Sequence, residues 1–123
     1  MISRVCLLLV TDVLLGTVRA SEPAMEVRIG VGSKAFTESV ILGEMVVHLA
    51  EMAGAEAEYK RELGGTRILW NALLRGDIDV YPEYTGTIAQ EILKETEGGD
   101  MVLALAERGI VMSRPLGFNN TYA

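Results

Sequence analysis

The chain has 123 residues, which is the length of one domain. Hydrophobic residues make up 50% of it and charged residues 23%, so the composition excludes an intrinsically disordered chain. Its 11 basic and 17 acidic residues give a net charge of -6, which argues against a nucleic-acid-binding module and against a polybasic membrane-surface module.

The first 20 residues carry the three parts of an export signal. Arg4 supplies a positive charge, residues 5–15 form an apolar run, and Val18 and Ala20 place small side chains where a signal peptidase reads them. The apolar run is shorter than the roughly 20 residues of a membrane-spanning helix. The alternative is a buried N-terminal helix of the fold. The order of the parts favours a signal peptide over residues 1–20, and therefore a periplasmic or otherwise extracytoplasmic protein.

After a short flexible leader at residues 21–26, hydrophobic periodicity switches repeatedly between the strand pattern and the helix pattern. Polar–apolar alternation predicts the strands, and glycines separate most of the elements. In chain order, the predicted elements are a strand over 27–31, a helix over 37–53, a strand over 55–63, a helix over 66–75, a strand over 78–82, helices over 88–95 and 101–108, and a strand over 110–112.

The helix over 37–53 has the clearest pattern of these elements. Five apolar residues recur along it at three- and four-residue steps: Val40, Ile41, Met45, Leu49 and Met52. Gly54 follows as a C-terminal cap, because glycine adopts the left-handed conformation that ends many helices.

The alternation of strands and helices predicts an α/β fold, with a mostly parallel sheet covered by helices. Pro82 marks the end of the third strand, because proline cannot donate a ladder hydrogen bond. Ligands of open α/β sheets bind at the carboxyl ends of the strands. The sequence predicts these ends at residues 32–36, 64–67 and 82–87.

No group of residues in the sequence supports catalysis or a metal or cofactor site. The stretch Gly30-x-Gly32-x-x-Ala35 lacks the third glycine of a dinucleotide-binding motif. His48 is the only histidine and Cys6 the only cysteine, so neither a zinc site nor a serine–histidine pair can be assigned. We therefore expect a protein that is not an enzyme and that uses no cofactor.

The segment 81–87 places two tyrosines and a carboxylate at a strand-to-helix turn. A tyrosine ring face attracts a cation by roughly 0.5–2 kcal/mol, depending on how far the site is desolvated. Thr85 and Thr87 are placed to cap the helix that follows. The alternative is that both tyrosines simply pack beneath the turn. The residues alone leave these two interpretations evenly balanced.

Several motifs occur together in the order of one known family: Ile29-Gly-Val-Gly-Ser-Lys-Ala-Phe-Thr-Glu38, Ile41-Leu-Gly-Glu44, Leu63-Gly-Gly-Thr-Arg67, Gly76-Asp-Ile-Asp-Val-Tyr-Pro-Glu-Tyr-Thr-Gly-Thr87 and Leu116-Gly-Phe-Asn-Asn-Thr-Tyr-Ala123. Through them, residues 27–123 resemble the N-terminal lobe of the osmoprotectant-binding proteins of ABC importers. Each motif alone is weak, and the combination is specific.

The resemblance implies one lobe of a two-lobed, hinged clamshell of the type II periplasmic-binding class. It implies capture of a solute and no chemistry. A quaternary-ammonium compound such as glycine betaine, choline, carnitine or proline betaine would be held in an aromatic cage. The protein would then present it to ABC permease subunits at the membrane, and nucleic acid is not an expected partner.

The resemblance also implies a set of ligand-binding residues. Lys34 matches a polar ligand contact in the first loop, Tyr84 a cage tyrosine, and Thr87 a hydroxyl contact to the ligand. Tyr122 matches a second cage tyrosine. Three further residues are expected to support the site without touching the ligand: Thr66, Tyr81 and Glu83.

In this family the chain would continue after Ala123 into a second lobe, so the resemblance implies a lobe that is truncated before it. Closure of two lobes around a ligand supplies much of the ligand's desolvation. Two alternatives therefore stay open. The first is a truncated fragment that binds nothing, and the second, less favoured, is an α/β enzyme.

Overall fold

Strands and helices alternate along the described part of the chain, which comprises residues 3–5, 26–94 and 99–117 of a computed structural model. In chain order the elements are the strands and helices β1 (Ser3–Val5), β2 (Arg28–Lys34), α1 (Thr37–Met52), β3 (Glu56–Gly64), α2 (Thr66–Arg75), β4 (Pro82–Tyr84), α3 (Thr85–Thr87), a π-helical turn (Ile88–Ile92) and α4 (Met101–Ala106). The predicted signal peptide and leader lie outside the described residues, except at positions 3–5 and 26.

The strand β2 lies between two parallel neighbours. On one side it pairs with β3, with a shift of register between Gly32 and Lys34. On the other side Val31 forms a single parallel bridge to Val80, and the Gly32 N–H donates to the Val80 carbonyl oxygen at 2.9 Å. The predicted α/β fold with parallel strands and covering helices is confirmed.

The third predicted strand, over 78–82, differs from the structure. Only Val80 of this segment bridges to β2, and Pro82 begins β4 where the sequence pattern predicts an end. The strand β4 pairs antiparallel with β1, and Tyr84 lies opposite Ser3. A proline suits the first residue of a strand, where its missing N–H interrupts no ladder of hydrogen bonds. The prediction that Pro82 ends a strand is therefore wrong, although a strand terminus is where proline is expected.

Helices cover both faces of β2. Neighbouring residues of a strand point to opposite faces, so Val31 and Gly32 face different helices. Val31 packs with Val47 of α1 and with Val80. On the other face, a methyl group at Gly32 would lie 2.7 Å from Ile78 and 2.8 Å from Leu69 of α2, so these side chains would have to shift to admit it. A further cluster joins α2 to the C-terminal segments and consists of Trp70, Ile88, Leu93, Ala104, Leu105, Ile110 and Met112.

The apolar stripe predicted along α1 lies mostly on the outside of the molecule. Val40 is buried, but the other four residues of the stripe are at least half exposed: Ile41, Met45, Leu49 and Met52. The face that α1 buries is instead rich in small side chains, including Ser39, Gly43 and Ala50. Small residues let the helix approach the sheet closely, and Leu42 and Val47 are buried beside them.

The C-terminal segments differ from the sequence pattern in detail. Within the helix predicted over 88–95, the structure has the π-helical turn at Ile88–Ile92, which the short α3 precedes, and residues 110–112 form no strand. Asp100 caps the last helix, because its carboxylate accepts a hydrogen bond from the Val102 N–H at 2.9 Å. In the ranges that the structure describes, no helix is long and apolar enough to cross a membrane.

Candidate functional site

The carboxyl ends of β2 and β4 meet. At the end of β2, the Lys34 ammonium lies 2.6 Å from the Glu83 carboxylate in β4. Lys34 is only 7% exposed and Glu83 only 4% exposed, so the two charges are shielded from water. This buried ion pair joins residues that are 49 positions apart in the sequence.

The carboxylate of Glu83 also holds the backbone of the next residue. Its Oε1 atom accepts a hydrogen bond from the Tyr84 N–H at 3.0 Å, in addition to the one from Lys34. Burial of the carboxyl raises the pKa of Glu83, and the hydrogen bond and charge of Lys34 oppose that rise. Glu83 therefore links the Lys34 ammonium to the backbone that carries the Tyr84 ring.

Tyr84 forms a partly exposed aromatic group with two residues from the β2–α1 loop and the start of α1. Its ring stacks on that of Phe36, with centroids 6.3 Å apart and ring planes inclined by 23°. Its hydroxyl donates a hydrogen bond to Oε1 of Glu38. All three side chains are half-buried, and we call them the aromatic corner. The corner brings together ring faces and a carboxylate, the groups that attract a cation without N–H donors.

Buried hydroxyl groups fix the β2–α1 loop beneath the aromatic corner. The Lys34 N–H donates to Ser39 Oγ at 2.9 Å, and the Glu62 N–H donates to Ser33 Oγ at 3.0 Å. The Tyr59 hydroxyl on β3 donates to the Val40 carbonyl oxygen at 2.9 Å and lies 3.0 Å from Ser33 Oγ. The loop is therefore bonded both to α1 and to β3.

An open groove of about 540 Å³ adjoins the aromatic corner. It is lined by Thr37, Glu38, Ile41, Leu42 and Met45. A second cavity, of about 380 Å³, lies at the other end of the strands, where Arg28 begins β2 and Glu56 begins β3. Ligands of parallel sheets bind at the carboxyl ends of the strands, so the groove beside the corner is the better candidate.

The four ligand-binding residues expected from the sequence are in different situations. Tyr84 is in the aromatic corner, and Thr87 is half-buried at the end of α3, next to the turn that carries Tyr84. Lys34 is bonded through its ammonium to Glu83, the residue before Tyr84, and is buried. Tyr122 lies outside the described residues.

Of the three residues expected to support the site, two are buried in the interior and one is half-buried. Tyr81 is buried with Leu69 and Ile78, and Glu83 is buried in the ion pair. Thr66 is the half-buried first residue of α2. In the described ranges, no group of histidine, cysteine, aspartate and glutamate side chains could hold a metal ion.

Two residues of the aromatic corner were missed as candidates in the sequence. Phe36 and Glu38 belong to the first-loop motif, and Glu38 is the acidic residue in the first turn of α1. The sequence signal for these two residues was their spacing, since one residue separates them where a strand meets a helix. This spacing indicates a site only when Tyr84 is known to lie beside them.

Comparison with known proteins decides the family. Residues 27–123 match the family model of the OpuAC domain, the substrate binding domain of an ABC-type glycine betaine transport system. The chain belongs to this family. The OpuAC match confirms the resemblance drawn from the motifs, and the relatives found are substrate-binding proteins of transport systems, not enzymes.

Two curated relatives share parts of the OpuAC region. The glycine betaine-binding protein YehZ of Escherichia coli (strain K12) is 41% identical over 56 residues, which are 46% of this chain and 18% of YehZ. The ergothioneine transport permease/ergothioneine binding protein EgtU of Helicobacter pylori (strain G27) is 37% identical over 102 residues, 76% of this chain and 18% of EgtU. The chain therefore matches about a fifth of the length of each curated relative.

A solved structure supports the fold of this OpuAC domain. The apo form of YehZ from Escherichia coli superposes with a TM-score of 0.51 at 35% sequence identity. The superposition covers 70% of this chain and 29% of the YehZ chain. This coverage agrees with the expectation of one lobe of a larger binding-protein fold.

Proposed function

We propose that the chain is the N-terminal lobe of an extracytoplasmic solute-binding protein, which delivers a quaternary-ammonium osmoprotectant to an ABC permease. The observation that carries this proposal is the aromatic corner, where the half-buried Tyr84 ring stacks on Phe36 and donates its hydroxyl to Glu38. The corner lies at the carboxyl end of β2, the usual place for a ligand in this fold class.

The chemistry of the corner suits a trimethylammonium group. Such a group has no N–H donors, so it is recognised by ring faces, dispersion and nearby negative charge rather than by hydrogen bonds. Tyr84 offers the ring, and the Glu38 carboxylate that orients its hydroxyl adds the charge. We assign Thr87 as a hydroxyl contact to the polar part of the ligand and Tyr122 as a second cage tyrosine.

The proposed ligand class is supported by a chemical feature that is common to the ligands named for the two curated relatives. Glycine betaine and ergothioneine, named for the two curated relatives, each join a trimethylammonium group to a carboxylate. Choline, carnitine and proline betaine also carry a quaternary ammonium. We therefore propose this group as the recognised feature, with the remainder of the ligand left to Thr87 and to groups beyond the lobe.

We further propose that residues 1–20 form a cleaved signal peptide and that residues 21–26 form a leader, which would place the protein outside the cytoplasm. A second lobe is the proposed partner that closes over the aromatic corner. The matched relatives are several times longer than the matched region, which gives room for such a lobe. Closure would exclude water and so strengthen the attraction between ring and cation.

Isothermal titration of the purified full chain with glycine betaine, choline, carnitine, proline betaine and ergothioneine tests the proposal. Saturable binding of at least one of these compounds is expected, together with no binding of ammonium chloride as the matched cation without methyl groups. The alternative of a non-binding fragment predicts no heat with any of them. It also predicts strong binding of a hydrophobic dye, because Leu49 and other apolar residues of α1 are exposed.

A further inference from the structure

The aromatic corner is formed by two segments that are far apart in the sequence, and a buried ion pair connects them. Phe36 and Glu38 follow β2, whereas Tyr84 ends β4. A buried polar connection between the segments is the 2.6 Å contact between Lys34 Nζ and Glu83 Oε1. Each residue of this pair is close in sequence to a ring of the corner.

Both nitrogen atoms of Lys34 have defined partners. Its backbone N–H donates to Ser39 Oγ in the first turn of α1, and its ammonium donates to Glu83. The same Glu83 oxygen accepts the Tyr84 N–H at 3.0 Å. A continuous set of hydrogen bonds therefore runs from the start of α1, through the ion pair, to the backbone of the cage tyrosine.

We infer that Lys34 and Glu83 are positioning residues, which set the distance and tilt between the rings of Phe36 and Tyr84, and that Lys34 does not contact the ligand. The identity of the ligand in this inference rests on the proposed function. A Lys34 ammonium that is almost fully buried and already bonded to a carboxylate offers no free charge to a ligand carboxylate. Breaking the pair to make such a contact would leave Glu83 charged and buried.

A ligand contact and a positioning role predict different ligand dependence. If Lys34 touched the ligand carboxylate, Lys34→Met would weaken the binding of glycine betaine and spare choline, which has no carboxylate. If Lys34 positions the ring of Tyr84, both ligands lose affinity by the same factor, because both present a trimethylammonium group to that ring. We expect the Kd of both ligands to rise by the same factor, of about tenfold.

The double substitution of Lys34→Met with Glu83→Gln provides a rescue. It removes both charges, so neither is left buried without its counter-ion. The glutamine Oε1 can still accept the Tyr84 N–H, which keeps the backbone bond of the tyrosine. A positioning role predicts that the double variant recovers affinity relative to Lys34→Met, for choline and glycine betaine alike. Lys60→Met is the matched control, since Lys60 bonds to the Asp77 carbonyl oxygen at the other end of the strands.

The experiment measures the Kd of choline and of glycine betaine for the full chain and these variants. In parallel, nuclear Overhauser contacts between the rings of Phe36 and Tyr84 are recorded without ligand. We expect the ring contacts to disappear in Lys34→Met and to return in the double variant. Selective loss of glycine betaine binding, or ring contacts that persist in Lys34→Met, would overturn the inference. If the wild type binds neither ligand, the proposed function is wrong, and the ring contacts still decide the positioning role.

Discussion

The ammonium of Lys34 and the carboxylate of Glu83 form an ion pair that is almost completely removed from water. Removing one partner of such a pair leaves a buried charge without compensation, which costs about 3–5 kcal/mol. We expect Lys34→Met to lower the free energy of unfolding by this amount, as measured by urea denaturation. The exposed pair of Arg75 and Asp77 is the control, and Arg75→Met is expected to cost less than about 1 kcal/mol. Equal effects of the two substitutions would contradict this account of the buried pair.

Glu83 also predicts a dependence of stability on pH. Its pKa in the folded protein lies above the 4.5 of a solvated glutamate, chiefly because the carboxyl is buried. Between these two values the folded chain holds a proton that the unfolded chain has released, so stability falls as the pH rises. This contribution is complete below pH 4.5 and is lost as the pH rises through the folded-state pKa.

Glu83→Gln removes the titration and isolates its effect. We expect the free energy of unfolding of the wild type, minus that of Glu83→Gln, to decrease with rising pH above 4.5 and then to level off. Urea denaturation of both proteins over a series of pH values provides the comparison. A difference that stays constant, or that increases with pH, would show that burial does not control this carboxyl.

The close approach of α1 to β3 makes Gly43 sensitive to a single methyl group. A Cβ atom at this position would lie 2.5 Å from the Tyr59 hydroxyl, which would have to leave its bond to the Val40 carbonyl oxygen. We expect Gly43→Ala to cost about 1–3 kcal/mol, the usual range for overpacking. In Gly65→Ala the added methyl group would meet no atom within 4 Å, so thermal denaturation should show little change for that control.

Two leucines test which side of the helices is buried. Leu69 on α2 is 0% exposed, whereas Leu49 on α1 is 63% exposed. Leu69→Ala is expected to cost about 2–5 kcal/mol through lost burial and the cavity that remains. Leu49→Ala is expected to change the free energy of unfolding by less than about 0.5 kcal/mol. A large loss for Leu49→Ala in the isolated chain would mean that the outer face of α1 is covered.

Much of the fold could be predicted because its determinants are local. Glycine at the helix ends is one example, since Gly54 and Gly76 both adopt the left-handed conformation expected of a C-terminal cap. The strands β2 and β3 and the helices α1 and α2 also follow from periodicity within short windows. Periodicity did not predict which face of α1 is buried, because the buried face includes Gly43 and other small residues whose fit depends on β3.

The candidate site was less predictable because its contacts are not local. Tyr84 could be singled out from its motif, but its neighbours Phe36 and Glu38 lie at the start of α1, more than 40 residues earlier in the sequence. Lys34 was expected to contact the ligand because its partner could not be identified from the sequence. That partner is Glu83, which is 49 residues away and meets Lys34 only in the folded chain.

The most direct test of the central claim compares two substitutions of Tyr84 by titration with choline. Tyr84→Phe keeps the ring and loses the bond to Glu38, whereas Tyr84→Ala removes the ring face. The account predicts a Kd for Tyr84→Ala that is about 2- to 30-fold weaker than that of the wild type, from the loss of about 0.5–2 kcal/mol of cation–ring attraction, and a smaller change for Tyr84→Phe. A wild type that binds choline with the same Kd as Tyr84→Ala would contradict the assignment of Tyr84 as the cage residue.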